Sequence, residues 1–100
     1  MVKGNYFVYI ITNPNKTVLY TGMTNNLQIR LQQHLDNRGN VNSFAGKYFC
    51  YKLVYYERFS DVKMAIDREK EIKDMSREKK MELIKALNPY LDFLVAAGLG

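Results

Sequence analysis

The chain has 100 residues, 47% of them hydrophobic and 25% charged. That balance fits one globular domain, residues 1–100, and argues against a disordered chain. With a single cysteine, Cys50, neither an intrachain disulfide nor a cysteine-based zinc site can form. No apolar run nears the ~20 residues of a membrane span. The opening residues lack the apolar core of a secretory signal, so a cytoplasmic location and no membrane partner are expected. Fifteen Lys and Arg against ten Asp and Glu give a net charge of +5, which favours a polyanionic partner.

Tyr6 to Thr12 is almost entirely β-branched or aromatic and predicts a strand. Asn13-Pro14-Asn15-Lys16 is turn chemistry, and Thr17 to Thr21 predicts a second strand, so the two form a hairpin. Gly22 follows, where a side chain has no room or the backbone needs a positive φ. Asn25 or Asn26 can cap a helix running to about Asp36, with Leu27, Leu31 and Leu35 as its apolar stripe. Arg30 and His34 are neighbours on the flank of that stripe. Asn37 to Lys47 is polar with two glycines and reads as a mobile loop.

Tyr48 to Glu57 predicts a third strand, and its length and aromatics point to the centre of the sheet. Tyr48, Cys50, Lys52, Val54 and Tyr56 would share one face. Ser60 can cap a helix from Asp61 to about Lys73, with Val62, Ala65, Ile66, Glu69 and Ile72 near one side. Ser76 can cap another through Leu87, with Met81, Ile84 and Leu87 inward. Asn88-Pro89 stops it. The tail, Tyr90 to Gly100, is apolar enough to pack back. The sum is an α+β fold, a small three-stranded antiparallel sheet flanked by helices in the order β-β-α-β-α-α.

Phe7-Val8-Tyr9 followed by Tyr20-Thr21-Gly22 resembles the paired motif of the GIY-YIG nuclease superfamily, with the two tyrosines on consecutive strands. Arg30 and His34 resemble its Arg-x-x-x-His helix. Arg68-Glu69 resembles its metal-binding glutamate helix, and Asn88 its late asparagine. The resemblance spans about residues 6 to 92 and is strongest to small stand-alone bacterial members of the URI-domain type. It departs at Phe7, Val8 and Thr21, where the motifs carry glycine, isoleucine and a different middle residue. None of these departures removes a chemical group.

The resemblance implies a divalent-metal-dependent endonuclease that hydrolyses DNA, with a role in DNA repair or recombination. Its cofactor would be Mg²⁺ or another divalent cation such as Mn²⁺. Phosphodiester hydrolysis needs a deprotonated water and stabilised charge on the phosphoryl oxygens. Glu69 would hold the metal, with Glu71 as a reserve ligand, and Arg30 would fork onto phosphate oxygens. Tyr9 is the implied general base with Tyr20 orienting water or phosphate, and His34 is an alternative base or proton shuttle. Gly22 would let backbone approach a helix or the scissile phosphate. Arg38 and Lys47, in the polar loop, could touch DNA.

Taken singly, each residue also has an ordinary role. Strand tyrosines are usually core, and an Arg or Glu on a helix is usually solvated. A non-catalytic nucleic-acid-binding or protein-interaction module with the same fold is therefore the alternative. Targeting would come from the site itself or from a protein partner, and the chain would act as a monomer or weak dimer.

Overall fold

A computed structural model describes residues 4–96. The elements run β1 (Tyr6–Thr12), β2 (Leu19–Thr24), α1 (Leu27–Asp36), α2 (Phe44–Lys47), β3 (Lys52–Phe59), α3 (Val62–Lys73) and α4 (Arg77–Leu87). The strands form one antiparallel sheet in the order β2-β1-β3. The fold is α+β, as the sequence predicts, with the short α2 added inside the expected loop.

The central strand is β1, not the third strand. Phe7 to Thr12 is buried on both faces, as a strand covered by helices on both sides must be. β3 carries Glu57 and Arg58 and lies at an edge. It also begins later than composition suggests. Tyr48 caps α2, Phe49 takes φ 57°, and the Cys50 amide donates to Ala45 O at 2.8 Å, so 48–50 are not extended ladder.

The second strand likewise starts at Leu19 rather than Thr17. The amides of Thr17 and Val18 donate to Asn13 Oδ1 at 2.8 and 3.0 Å and are spent on the turn.

Phe7, Tyr9 and Ile11 face one core cluster with Leu27, Ala45 and Leu53; Val8 and Ile10 face the other with Ala65, Ile72 and Ile84. The α1–α2 region covers one sheet face, and α3 and α4 cover the other. A register shift between Ile10 and Ile11 puts Val54 and Tyr55 in the same cluster. The expected face that joined Val54 to Cys50 and Tyr56 is therefore broken by a bulge.

On α3 the N-cap is Asp61, not Ser60, and it makes no side-chain cap bond. Ala65 and Ile72 are fully buried and Glu69 is half-buried between them, whereas Val62 and Ile66 are exposed. The helix touches the sheet along a narrow 65–69–72 stripe. On α4, Ser76 accepts from Lys79 N at 3.2 Å, but Leu87 is 75% exposed and Leu83 packs inward instead.

The described part of the tail packs back as expected. Leu91 and Ala96 are buried, and Leu94 N donates to Leu53 O at 2.8 Å. Positions 97–100 lie outside the described residues. Cys50 is buried, and burial pushes its thiol up to about 11, which makes it an inert small hydrophobe.

Candidate active site

Tyr9 is paired across the sheet with Gly22. Its ring lies over the glycine: a Cβ at position 22 would stand 2.6 Å from Tyr9 Cζ. Gly22 thus makes room for the Tyr9 ring rather than for a helix or a phosphate, and its place is inside β2 rather than after it. Held this way, Tyr9 is only 2% exposed and its hydroxyl shares a 2.7 Å hydrogen bond with His34 Nε2.

Asn26 caps α1 by accepting from Ile29 N at 3.1 Å, and Leu27 anchors the helix start in the core. That register turns His34 toward the sheet. The imidazole meets Tyr9 and Tyr20 edge-on, with centroids 5.7 and 5.6 Å apart. Tyr20 and His34 open onto a cleft of about 600 Å³ that Arg30, Ser43 and Phe44 also line. Arg30 is exposed and none of the described carboxylates pairs with it.

The electrostatics are directional. Burial pushes the Tyr9 phenol well above its ordinary range, Tyr20 and Glu69 add to the rise, and Arg30 opposes it. Burial, then the Arg30 charge, pulls His34 below its ordinary 6.5. At neutral pH the pair is therefore a protonated phenol against a neutral imidazole.

Glu69 does not line the cleft, but its carboxylate acts on Tyr9 from α3. It is 21% exposed and pairs with Lys73 at 3.4 Å. Among the described residues no group of three or more His, Cys, Asp or Glu is placed to hold a metal ion. A lone half-buried carboxylate suits Mg²⁺, which binds through one or two carboxylates and keeps several waters. Glu69 is the residue that would hold it.

Other expected residues lie elsewhere. Glu71 is 62% exposed and pairs with Arg68 at 2.8 Å. Arg68 is itself committed to Glu57, from Nε at 3.0 and 3.1 Å and from Nη2 at 2.9 Å. Arg38 donates to Leu35 O at 2.7 Å and closes the end of α1, while Lys47 lies 5.5 Å over the Tyr48 ring. Neither lines the cleft.

Asn88 is buried against the edge strand β3 and does not line the cleft. Its Nδ2 donates to Val54 O at 2.9 Å and Asp92 O at 3.0 Å, and its Oδ1 accepts from Asp92 N at 3.0 Å. It is a supporting residue that knots the tail to β3.

Sequence reasoning missed Phe44, which stacks on Tyr20 with centroids 6.2 Å apart. The available signal was Ser43, a cap residue standing just before Phe44-Ala45 in an otherwise polar loop. Its Oγ accepts from Gly46 N at 3.1 Å and folds that loop into α2.

Residues 5–82 match the family model described as the GIY-YIG catalytic domain. The chain is 40% identical over 83 residues to a UPF0213 protein of Syntrophus aciditrophicus, covering 79% of this chain and 88% of that one. It is 38% identical over 80 residues to one of Clostridium perfringens, covering 80% and 83%. The solution structure of a UPF0213 protein from Bacillus halodurans superposes with a TM-score of 0.57 at 24% identity, covering 96% of this chain and 99% of that one. The chain belongs to the GIY-YIG family, a family of nuclease-type domains. Among the described residues no helix is long and apolar enough to cross a membrane.

Proposed function

We propose that the chain is a Mg²⁺- or Mn²⁺-dependent endonuclease acting on DNA phosphodiesters. The observation that carries this reading is the Tyr9–His34 hydrogen bond beneath a cleft whose wall presents Arg30. The Arg30 fork holds phosphoryl oxygens and meets the charge that grows on them during attack. Tyr9 alone is a poor base, because its phenolate is scarce near neutral pH. His34 removes that obstacle. As water attacks phosphorus, its proton passes to Tyr9 Oη while Tyr9 gives its own to His34 Nε2, and the P–O bond to the leaving strand breaks, its oxygen taking a proton from solvent. Tyr20 orients the water or the phosphate. A divalent ion held by Glu69, when bound, supplies further stabilisation of negative charge.

The test is cleavage of branched, single-stranded and duplex DNA with Mg²⁺, comparing wild type, Glu69→Ala and Arg30→Ala. Glu69→Ala should abolish metal-dependent turnover. Arg30→Ala should lower kcat by about 10²–10³ with a much smaller loss of DNA affinity. Identical traces for wild type and Glu69→Ala on every substrate would sink the reading.

A further inference from the structure

The cleft beside Arg30 does not end at Phe44. A second cleft of about 370 Å³ lies on its other side, lined by Phe44 and Tyr48 together with Arg77 and Lys80 of α4. Phe44 therefore stands as a ridge between the two. Its ring is 53% exposed, and Tyr48, 40% exposed, lies 4.8 Å from it by centroid. On the inner side Tyr20 backs Phe44 at an interplanar angle of 26°. Lys47 sits over the outer tyrosine. No carboxylate lines the second cleft, and among the described residues neither Arg77 nor Lys80 makes an ion pair.

Scattered exposed aromatics need no explanation. These rings are contiguous and have cations on both flanks, with Asp36 the one carboxylate among the described residues lining the Arg30 side. That is the chemistry of a single-strand track, in which bases stack on aromatics and lysines or arginines follow the phosphates. Duplex DNA keeps its base faces stacked on each other, so only an unpaired base can use an exposed ring face.

We propose that Phe44 and Tyr48 stack a base of an unpaired DNA strand. Its phosphate on one side lies toward Arg30, and those on the other side are held by Arg77 and Lys80. The inference rests on the active-site reading for the Arg30 end of the track, and it names the substrate class as single-stranded or locally unpaired DNA.

The test is binding without turnover. Fluorescence anisotropy in EDTA would follow a labelled thymidine oligomer of about fifteen nucleotides, within the site sizes such tracks use, and a duplex of equal length. Phe44→Ala and Phe44→Leu should weaken single-strand binding by about 5- to 150-fold, the range for one stacked base, and Phe44→Trp should restore it. Duplex affinity should move less than about 2-fold, because stacked bases offer the ring no face. Arg77→Ala with Lys80→Ala should reduce the slope of log K against log salt by about 1.4, the share of two single-strand phosphates. Wild-type affinity in Phe44→Ala overturns the proposal, and so does equal loss on duplex or no binding of the oligomer at all. Because no metal is present, this outcome is independent of cleavage. A track without turnover refutes the nuclease reading, and turnover without ring dependence refutes the track.

Discussion

Gly22→Ala is the most informative single change, because the three atoms nearest its new methyl, the hydroxyl oxygen foremost, all belong to Tyr9. The new methyl would lie 2.6 Å from Tyr9 Cζ and 3.0 Å from Cε2. The ring has little freedom to yield, being 2% exposed and tied to His34. Overpacking of this kind costs about 1–3 kcal/mol. Displacing the ring also loses the hydrogen bond to His34, a further ~1 kcal/mol. Against this, replacing a strand glycine with alanine gains about 0.5–1 kcal/mol of backbone entropy. The net is a destabilisation of about 1–3 kcal/mol, or a fall in Tm of roughly 5–20 °C for a domain this size. Urea unfolding followed by circular dichroism reads it directly. The decisive control is the same change in a Tyr9→Leu background, where the clashing atoms are gone. There Gly22→Ala should be neutral or stabilising by up to about 1 kcal/mol. Equal costs in the two backgrounds would refute the claim that the glycine exists to seat the tyrosine.

Three other substitutions probe separate parts of the molecule. Asn88→Ala removes three hydrogen bonds and strands the Val54 carbonyl, which should cost about 2–4 kcal/mol in urea unfolding. Turnover per folded molecule should stay unchanged, since Asn88 packs against the β3 edge and does not line the Arg30 cleft. Thr21 Oγ1 is buried without a hydrogen-bond partner, so Thr21→Val should stabilise the fold by about 1 kcal/mol by the same assay. His34 is the single histidine, so its titration is one resolved NMR signal. Its folded pKa lies below 6.5, so stability should be full above about pH 6.5 and fall as pH drops toward the folded value. Arg30→Ala should move that titration upward and narrow the loss.

The sequence placed most elements of the fold more closely than it placed the neighbours of the candidate site. Local periodicity placed the strand pair and the helix that carry Tyr9, Tyr20, Arg30 and His34, but it was the resemblance to the GIY-YIG motifs that singled those residues out. Glu69 was nominated by the same resemblance, and its place between Ala65 and Ile72 accounts for its half-burial. What stayed hidden depended on side chains competing for backbone. Asn13 takes the Thr17 and Val18 amides and delays β2. Ser43 makes a helix from a polar loop and so raises Phe44 beside the cleft. The strand order was hidden for another reason. β1 and β3 have similar composition, and only the covering of both faces of β1 decides which is central.

The role of Tyr9 shows how far position and chemistry can diverge. A motif fixes a tyrosine at residue 9 and a glycine at residue 22, yet the packing that joins them also buries the phenol. Burial raises the proton affinity of Tyr9 and lowers that of His34, so the two effects cannot be separated. A lone tyrosine in this setting would be an acid at neutral pH. Set 2.7 Å from a neutral imidazole, it can accept a proton as it releases one. Under the proposed mechanism the pair, not Tyr9 alone, is the base; burial keeps His34 in the neutral form that can accept, while it makes the transfer from Tyr9 costlier. Tyr9→Phe and His34→Ala should accordingly cost similar amounts of kcat, and the double variant little more than either one. Additive losses would show that the two act separately, with Tyr9 holding water and His34 alone moving the proton.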